Sequence, residues 1–319
     1  MHGLDLLDRK IMYELDLDAR APSSQIAKKL RKSKETVNFR INRLMKEGYL
    51  KGFYTLFSNS MLGLYYYKIF VKLRSISPSS AEDALRKISV MERVSYLAST
   101  DGYYDWVIVI MVRGTEEMES FMRAFLKYYG ALVLEKEVVV FPTVHRFNAR
   151  FLHAGSEERD WTYPVRLESY RLDGTDSRIL KAITNDARAS MTKIAKKAGI
   201  DQKTASYRLK KLEKDGVILS YVTAPDFEKL GLQFVQVNIS LCDLATKKPV
   251  MEYFRSTNAC LYALEAIGKF DLGVEIHVRG SDHLREILHS FREKFEGKYN
   301  FFDVATITRE YTVIWGPFV

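Results

Sequence analysis

Lys28–Lys51 reads KKLRKSKETVNFRINRLMKEGYLK, and 168 positions further on Lys196–Leu219 reads KKAGIDQKTASYRLKKLEKDGVIL. Both stretches open on two lysines, keep a Thr, an Arg and a Leu in step (Thr36, Arg40, Leu44; Thr204, Arg208, Leu212) and stop at a glycine, Gly48 or Gly216. Apolar residues recur at helical spacing: Val37, Ile41, Leu44 and Met45 in the first, Ala205, Leu209 and Leu212 in the second. Ser33 and Asp201 stand where a side chain can accept the free N–H groups of a first helical turn. Each closing glycine suits a left-handed helix end. The outward side of both helices is basic. A short helix with one buried stripe and one cationic face is what reading a DNA groove requires.

Working outward, Leu4–Leu15 carries Leu4, Leu7, Ile11 and Leu15 along one side. Asp18-Ala19-Arg20-Ala21-Pro22 breaks that pattern, and Ser24–Leu30 makes a second short helix with Ile26, Ala27 and Leu30 inward. With Lys34–Glu47 these form three helices and a tight turn, a helix-turn-helix. The alternating, aromatic run Tyr49–Phe57 predicts a β-hairpin wing or a connecting strand.

From Tyr65 the period changes to that of a sheet. Strands are expected at Tyr65–Arg74, Arg93–Thr100, Tyr104–Arg113 and Leu132–Phe147, with helices at Ser79–Val90 and Glu116–Tyr128. The order βαββαβ is the ferredoxin-like arrangement. Phe151–Arg171, with Gly155, Ser156 and Pro164, reads as a linker, and Trp161 and Tyr163 suggest that it lies against a domain. Everything then repeats. Leu172-Asp173…Asp176 answers Leu4-Asp5…Asp8, Asp186–Ala189 answers Asp18–Ala21, and Leu230–Leu232 answers Leu62–Leu64. Gly268…Asp271 answers Gly102…Asp105 after a loss of two positions. A steady offset over half a chain means a duplicated unit. The expected fold class is α+β: two winged helix-turn-helix domains, each followed by a ferredoxin-like βαββαβ domain. The expected boundaries are 1–60 and 172–228 for the heads, 61–150 and 229–319 for the sheet domains, and 151–171 for the linker.

Composition agrees. At 319 residues there is room for two or three domains with proper cores. No apolar run reaches the roughly 18 residues of a membrane span. The opening MHGLDLLDRK lacks a signal-peptide apolar region, so a cytoplasmic protein is expected. Cys242 and Cys260 form neither a zinc pattern nor a disulfide framework, and both read as small buried residues. The net charge is +9, and its location carries the meaning. Ile26–Lys51 holds nine Lys/Arg against two acids, and Ile194–Leu219 holds seven against three. Those windows sum to +11 and leave the remainder near −2. Positive charge so concentrated is the footprint of phosphate contact.

Leu-Asp-x-x-Asp, then Asp-Ala-Arg, Ile-Ala-Lys-Lys, an Arg-x-x-x-Leu helix ending in Gly, and a βαββαβ domain with Gly-x-x-Asp after its second strand resemble the Lrp/AsnC (feast/famine) transcription regulators. The resemblance covers almost the whole chain, twice. It implies binding to double-stranded DNA through the helix-turn-helix, homo-oligomers assembled through the ferredoxin-like domains, and an amino-acid or small-metabolite effector held between sheet domains. Family members usually carry one unit per chain. Fusing two leaves a monomeric pseudo-dimer, a dimer and a higher ring all open.

The candidate DNA-binding residues are Lys34, Glu35, Thr36, Asn38, Phe39, Arg40, Arg43 and Lys46 in the first copy. In the second they are Lys203, Thr204, Ser206, Tyr207, Arg208, Lys210, Lys211 and Lys214. Lysines near the helix ends suit phosphates. Glu35, Asn38 and Arg43, then Lys203, Ser206 and Lys210, are placed to read bases, and Phe39 and Tyr207 to meet a thymine methyl or a sugar. Arg40 and Arg208 equally suit a structural bond back to a carboxylate such as Asp18 or Asp186. Because the two helices differ at nearly all these positions, an asymmetric site with unlike half-sites about 34 Å apart, or a multiple, is expected.

The candidate effector residues implied by the resemblance are Thr100, Asp101, Gly102 and Asp105, with Gly268 and Asp271. The alternative for these positions is a plain hairpin whose glycine turns and whose Asp caps. No metal, cofactor or catalytic set is expected. The histidines His2, His145, His153, His277, His283 and His289 fall at no metal-ligand spacing. The rival reading is an enzyme, since some proteins of this layout resemble siroheme decarboxylases of haem biosynthesis. For that chemistry Arg93, His145 and Arg146 are the loose cluster on offer.

Overall fold

The computed structural model describes residues 3–154, 159–165, 169–314 and 316. The first head is α1 (Leu6–Leu17), α2 (Ser23–Leu30) and α3 (Lys34–Lys46), followed by β1 (Leu50–Phe57). Its counterpart is α6 (Gly174–Ile183), α7 (Met191–Ala198) and α8 (Gln202–Lys214), followed by β7 (Ile218–Pro225). The capping logic holds in both copies. Ser33 accepts the Thr36 N–H at 3.1 Å and Asp201 the Thr204 N–H at 2.9 Å, while Gly48 and Gly216 take φ of 75° and 77°.

Of the two possibilities for Tyr49–Phe57, the structure takes the connecting strand. Each head supplies one strand only: a helical turn at Asn59–Leu62 follows β1, and a turn at 227–231 follows β7. A lone strand leaves a row of unpaired backbone groups. β1 therefore pairs antiparallel with β7 of the other copy, from Leu50↔Pro225 to Phe57↔Ile218. This two-stranded ribbon joins the heads.

The first sheet domain runs β2 (Tyr65–Leu73), α4 (Pro78–Ile88), β3 (Val94–Asp101), β4 (Trp106–Val112), α5 (Thr115–Tyr129) and β5 (Val133–Arg146). The second runs β8 (Gln233–Leu241), α9 (Lys247–Ser256), β9 (Cys260–Ile267), β10 (Leu272–Val278), α10 (Ser281–Lys294) and β11 (Tyr299–Val313). The closing strand of each is long enough to serve both copies. β5 pairs with β2 through Val133–Val140 and then with β9 through Val140–Arg146. β11 pairs with β8 through Tyr299–Thr306 and with β3 through Thr306–Val313. The two sheets thus close into one ring of the order β2-β4-β3-β11-β8-β10-β9-β5 and back to β2. Closure removes the edges that a separate ferredoxin-like sheet would expose.

Strand alternation sends one face outward to the helices and one inward. Ile69, Val71, Ile108 and Ile110 pack outside with Leu85, Phe121 and Phe125 of α4 and α5. Val237, Val274 and Ile276 do the same with Phe254 and Phe291 of α9 and α10. Phe70, Val107, Val139 and Phe141 meet Leu264 and Phe270 of the second copy inside. The runs Val107–Val112 and Val138–Phe141 therefore serve both core and junction.

Two expectations need correction. Trp161–Pro164, inside the stretch read as linker, forms β6 and pairs with Thr143–Arg146 of β5. Trp161 is buried there in a cluster with Tyr54, Leu56 and Val222, and the Arg146 guanidinium lies 5.2 Å from its ring centre. Gly155 and Ser156 lie outside the described residues, as does His2. Both cysteines are free, yet only Cys260 is buried; Cys242 is exposed, its Sγ 3.3 Å from Asn300 Oδ1. No helix of the described residues is long and apolar enough to cross a membrane.

Candidate nucleic-acid interface

The recognition helices α3 and α8 each bury one stripe, Val37, Ile41 and Leu44, or Ala205, Leu209 and Leu212. The opposite side is open. Lys34, Glu35, Asn38 and Lys46 are exposed on the first helix, as are Lys203, Lys210, Lys211 and Lys214 on the second. None of those lysines makes an ion pair among the described residues, so their charge is available to a polyanion. Phe39 and Tyr207 are 65% and 70% exposed, large for aromatic rings without a partner surface. Ser206 and the two threonines are half-buried, and Thr36 and Thr204 spend their hydroxyls on the capping residues Ser33 and Asp201.

The arginines behave differently. Arg40 donates to Asp5 and, at 3.1 Å, to Asp8 of α1; Arg208 donates to Asp173 and, at 2.9 Å, to Asp176 of α6. These are the structural bonds considered for them, but the acceptors are the Leu-Asp-x-x-Asp pair, not Asp18 or Asp186. The reason is local: Asp5 and Asp173 cap the first helix of each head and thus face the flank of the third. The backbone N–H of Asp176, then Arg208, hold the Asp173 carboxyl below its usual pKa.

Arg43, expected to point away as a base reader, instead bonds through Nη2 to the fully buried Asp8. Its place in the second copy is taken by Lys211, which is exposed. Lys211 lines a small hollow with Tyr170, Asp173, Asp176 and Arg208. The free cationic surface of the first helix is smaller than its composition suggests, and the two helices are more unlike than their sequences alone show.

The heads are also clasped to each other. Arg20 donates to the Ala187 carbonyl at 2.6 Å, and Arg188 donates to the Ala19 carbonyl. Ala19 N–H bonds to Tyr221 of β7 at 2.8 Å, and Ala187 N–H to Phe53 of β1 at 3.1 Å. These clasp residues are the Asp-Ala-Arg motif of each copy. Sequence reasoning saw the motif repeat but gave it no role.

A family model described as winged helix-turn-helix DNA-binding matches residues 4–51 and again 172–218. Regulatory protein AsnC of Haemophilus influenzae is 28% identical over 120 residues, 38% of this chain and 79% of its own length. HTH-type transcriptional regulator Ptr1 of Methanocaldococcus jannaschii is 30% identical over 119 residues, 37% of this chain and 79% of its own length. The chain belongs to the Lrp/AsnC family of transcriptional regulators.

It is a transcriptional regulator of this family in tandem form, with a DNA-binding winged helix-turn-helix in each copy. Each relative corresponds to little more than a third of this chain, as a duplication requires. One solved structure matches both copies at once. The siroheme decarboxylase NirDL aligns over 97% of this chain and 93% of its own, with a TM-score of 0.67 at 13% identity. At that identity the likeness shows the tandem fold alone.

The turns that carry the candidate effector residues also hold local structure. Asp105 accepts the Leu73 N–H at 2.7 Å and Asp271 the Leu241 N–H at 2.8 Å. Thr100 donates its hydroxyl to the Tyr104 carbonyl at 2.6 Å, and Asp101 is exposed. A Cβ on Gly102 would stand 2.5 Å from the Val304 carbonyl of β11, and one on Gly268 would stand 3.1 Å from Val138 of β5. Both turns abut the other copy's long strand, which is why they need glycine. None of the six candidate effector residues lines the main cavity, which lies between ribbon and barrel. The loose enzyme cluster does not assemble either. Arg93 pairs with Glu117 at 3.2 Å, His145 with Glu265 at 3.1 Å, and Arg146 with buried Asp16 at 2.6 Å.

Proposed function

We propose that this chain is a self-contained pseudo-dimeric regulator, one polypeptide presenting two unlike recognition helices to one asymmetric operator. The observation that carries this reading is the ribbon with its clasp: β1 pairs with β7, and Arg20 and Arg188 exchange backbone acceptors. A rigid pair of helices restricts binding to half-sites at matching separation, about 34 Å or a multiple of it. Glu35, Asn38, Lys203, Ser206 and Lys210 read base edges. Lys34, Lys46, Lys211 and Lys214 meet phosphates, with Phe39 and Tyr207 against sugars or thymine methyls. Thr36, Thr204, Arg40, Arg208 and Arg43 shape the helices from behind. The boundaries remain 1–60, 61–150, 172–228 and 229–319, with part of 151–171 joined to the barrel through β6. The protein works in the cytoplasm, responds to a small-molecule effector and needs no cofactor; any homo-oligomer forms through the outer faces of the ferredoxin-like domains.

The chain acts as a regulator and not as an enzyme. A tetrapyrrole substrate brings several carboxylates that need free cations. The arginine and lysines lining the cavity all have acidic partners: Arg146 with Asp16, Lys68 with Glu275 and Lys51 with Asp226. Selection of bound genomic fragments at near-physiological salt, with and without an amino-acid mixture, tests the proposal. One asymmetric consensus bound by monomeric chain supports it. A palindromic consensus, or bound tetrapyrrole with no affinity for duplex DNA, overturns it.

A further inference from the structure

A cavity of ≈ 430 Å³ lies between the β1–β7 ribbon and the barrel, a size that suits a small molecule. Tyr54 of β1 and Thr223 of β7 contribute to one wall, and Lys68, Tyr96, Glu275 and Glu310 of the barrel strands to the other. Eleven of the described residues around it are Phe or Tyr. Polar atoms without a hydrogen-bond partner also border it: Asn59 Oδ1, Tyr163 Oη, Arg146 Nε and His277 Nδ1. Asn59, Arg146 and His277 are more than nine-tenths buried. A buried polar atom left unsatisfied is costly, and an occupant carrying N–H groups relieves that cost at an acceptor such as Asn59 Oδ1.

The charges decide which occupant. Asp16 cancels Arg146 at 2.6 Å, and Glu275 cancels Lys68 at 3.0 Å. Lys51, its side chain more than half exposed, reaches Asp226, which does not line the cavity, at 3.4 Å. His277 is kept neutral, its pKa pushed down to about 3 by burial. Glu310 is left over. It makes no ion pair among the described residues, it sits beside the Tyr96 phenol on the cavity lining with its surface exposed, and Lys51 is the cation that acts on it from a distance. A carboxylate that borders aromatic rings and has no ion-pair partner offers a counter-charge to a cation held against those rings. Aromatic rings add their own attraction, about 0.5–2 kcal/mol per well-placed cation.

We propose that this cavity takes an organic monocation, an amine or quaternary ammonium carried on an apolar body, with Glu310 as its counter-ion. Polyanions are disfavoured because every lining arginine and lysine is already matched. The consequence for DNA rests on the regulator reading. β1 and β7 follow α3 and α8 after turns of only three residues, so an occupant touching Tyr54 and Thr223 bears on the separation of the recognition helices.

Isothermal titration of the full chain with benzyltrimethylammonium, its neutral isostere neopentylbenzene and the anion phenylmethanesulfonate tests the site. Saturable binding of the cation, weakened tenfold or more by Glu310→Gln and absent for the sulfonate, is expected. Equal or tighter binding of the neutral or anionic probe, no binding of the cation, or no effect of Glu310→Gln overturns the proposal. Should Glu310→Gln not fold, Phe234→Leu keeps an apolar wall while removing a ring. It is expected to weaken the cation several-fold and leave the neutral probe unchanged; equal losses overturn the proposal. DNA affinity measured on the same samples separates the two readings. Cation binding without any DNA binding removes the regulator reading and leaves the site standing. DNA binding without cation binding removes the site alone.

Discussion

Arg20 and Arg188 are equivalent residues of the two copies, and each ends on a backbone carbonyl of the other's turn, Ala187 or Ala19. Each guanidinium also lies over a ring of the ribbon, Arg20 5.2 Å from the Tyr221 centre and Arg188 5.4 Å from that of Phe53. The turn motif and the ribbon form one joint. It fixes head to head with its guanidinium groups turned to backbone carbonyls, so it is expected to control geometry and not charge.

Replacing Arg20 or Arg188 by Ala is expected to cost about 1.5–3 kcal/mol of stability, the worth of a hydrogen bond from a charged donor. Affinity for the composite operator falls while the slope of log affinity against log salt stays the same, since no phosphate contact is lost. Fluorescence anisotropy over a salt series reads both. A reduced slope would mean these arginines touch DNA.

Arg43 and Lys211 occupy equivalent positions with opposite fates. Arg43→Ala leaves buried Asp8 with Arg40 as its remaining cation, so the expected effect is destabilisation of the first head by a few kcal/mol. Lys211→Ala leaves stability unchanged and lowers the salt slope by about 1. Urea unfolding and DNA titration on the same two variants check this. Matching slopes and matching stabilities would return Arg43 to the DNA face.

Period and repetition made the elements readable. Val37, Ile41 and Leu44 mark α3 at a spacing of 3 to 4, and the offset of 168 carried that reading to α8. Pairing partners were not readable. Nothing within Leu50–Phe57 says that its neighbour is Ile218–Pro225, because an edge strand's need for a partner does not name one. The length of Val133–Arg146 was visible, yet the exchange of β5 between β2 and β9 at Val140 depends on two sheets meeting. Arg43 was misplaced for a related reason. Helical periodicity points a Cα outward, but a long side chain reaches back to Asp8, more than thirty residues earlier in the chain.

Asp16 and Arg146 tie the first head to the barrel, 2.6 Å apart with side chains 1% and 2% exposed. Thr223 and the Ala149 N–H also bond to Asp16, at 3.2 and 3.1 Å. The equivalent of Asp16 in the second copy is Thr184, so this anchor exists on one side only. Asp16→Ala strands a buried guanidinium, and a loss of about 3–5 kcal/mol is expected. Replacing Asp16 by Thr together with Arg146→Leu removes both charges and is expected to recover much of that loss. Thermal unfolding of the two variants distinguishes an ion pair from simple packing. Equal losses would show that packing alone matters.

His277 lies 3.8 Å, centre to centre, from the Phe227 ring at an interplanar angle of 15°, and burial pushes its pKa from 6.5 to about 3. The folded state thus prefers the neutral ring, and protons bind more readily to the unfolded chain. The stabilisation is fully present above pH 6.5 and is lost as pH falls from 6.5 toward 3. Between pH 7 and pH 5 this single group is expected to remove about 2 kcal/mol. His277→Phe keeps the stacked ring and abolishes the titration. The difference in urea stability between wild type and variant is therefore expected to change by about that amount across the interval. A pH-independent difference would mean that the imidazole is protonated, or reached by water, within the fold.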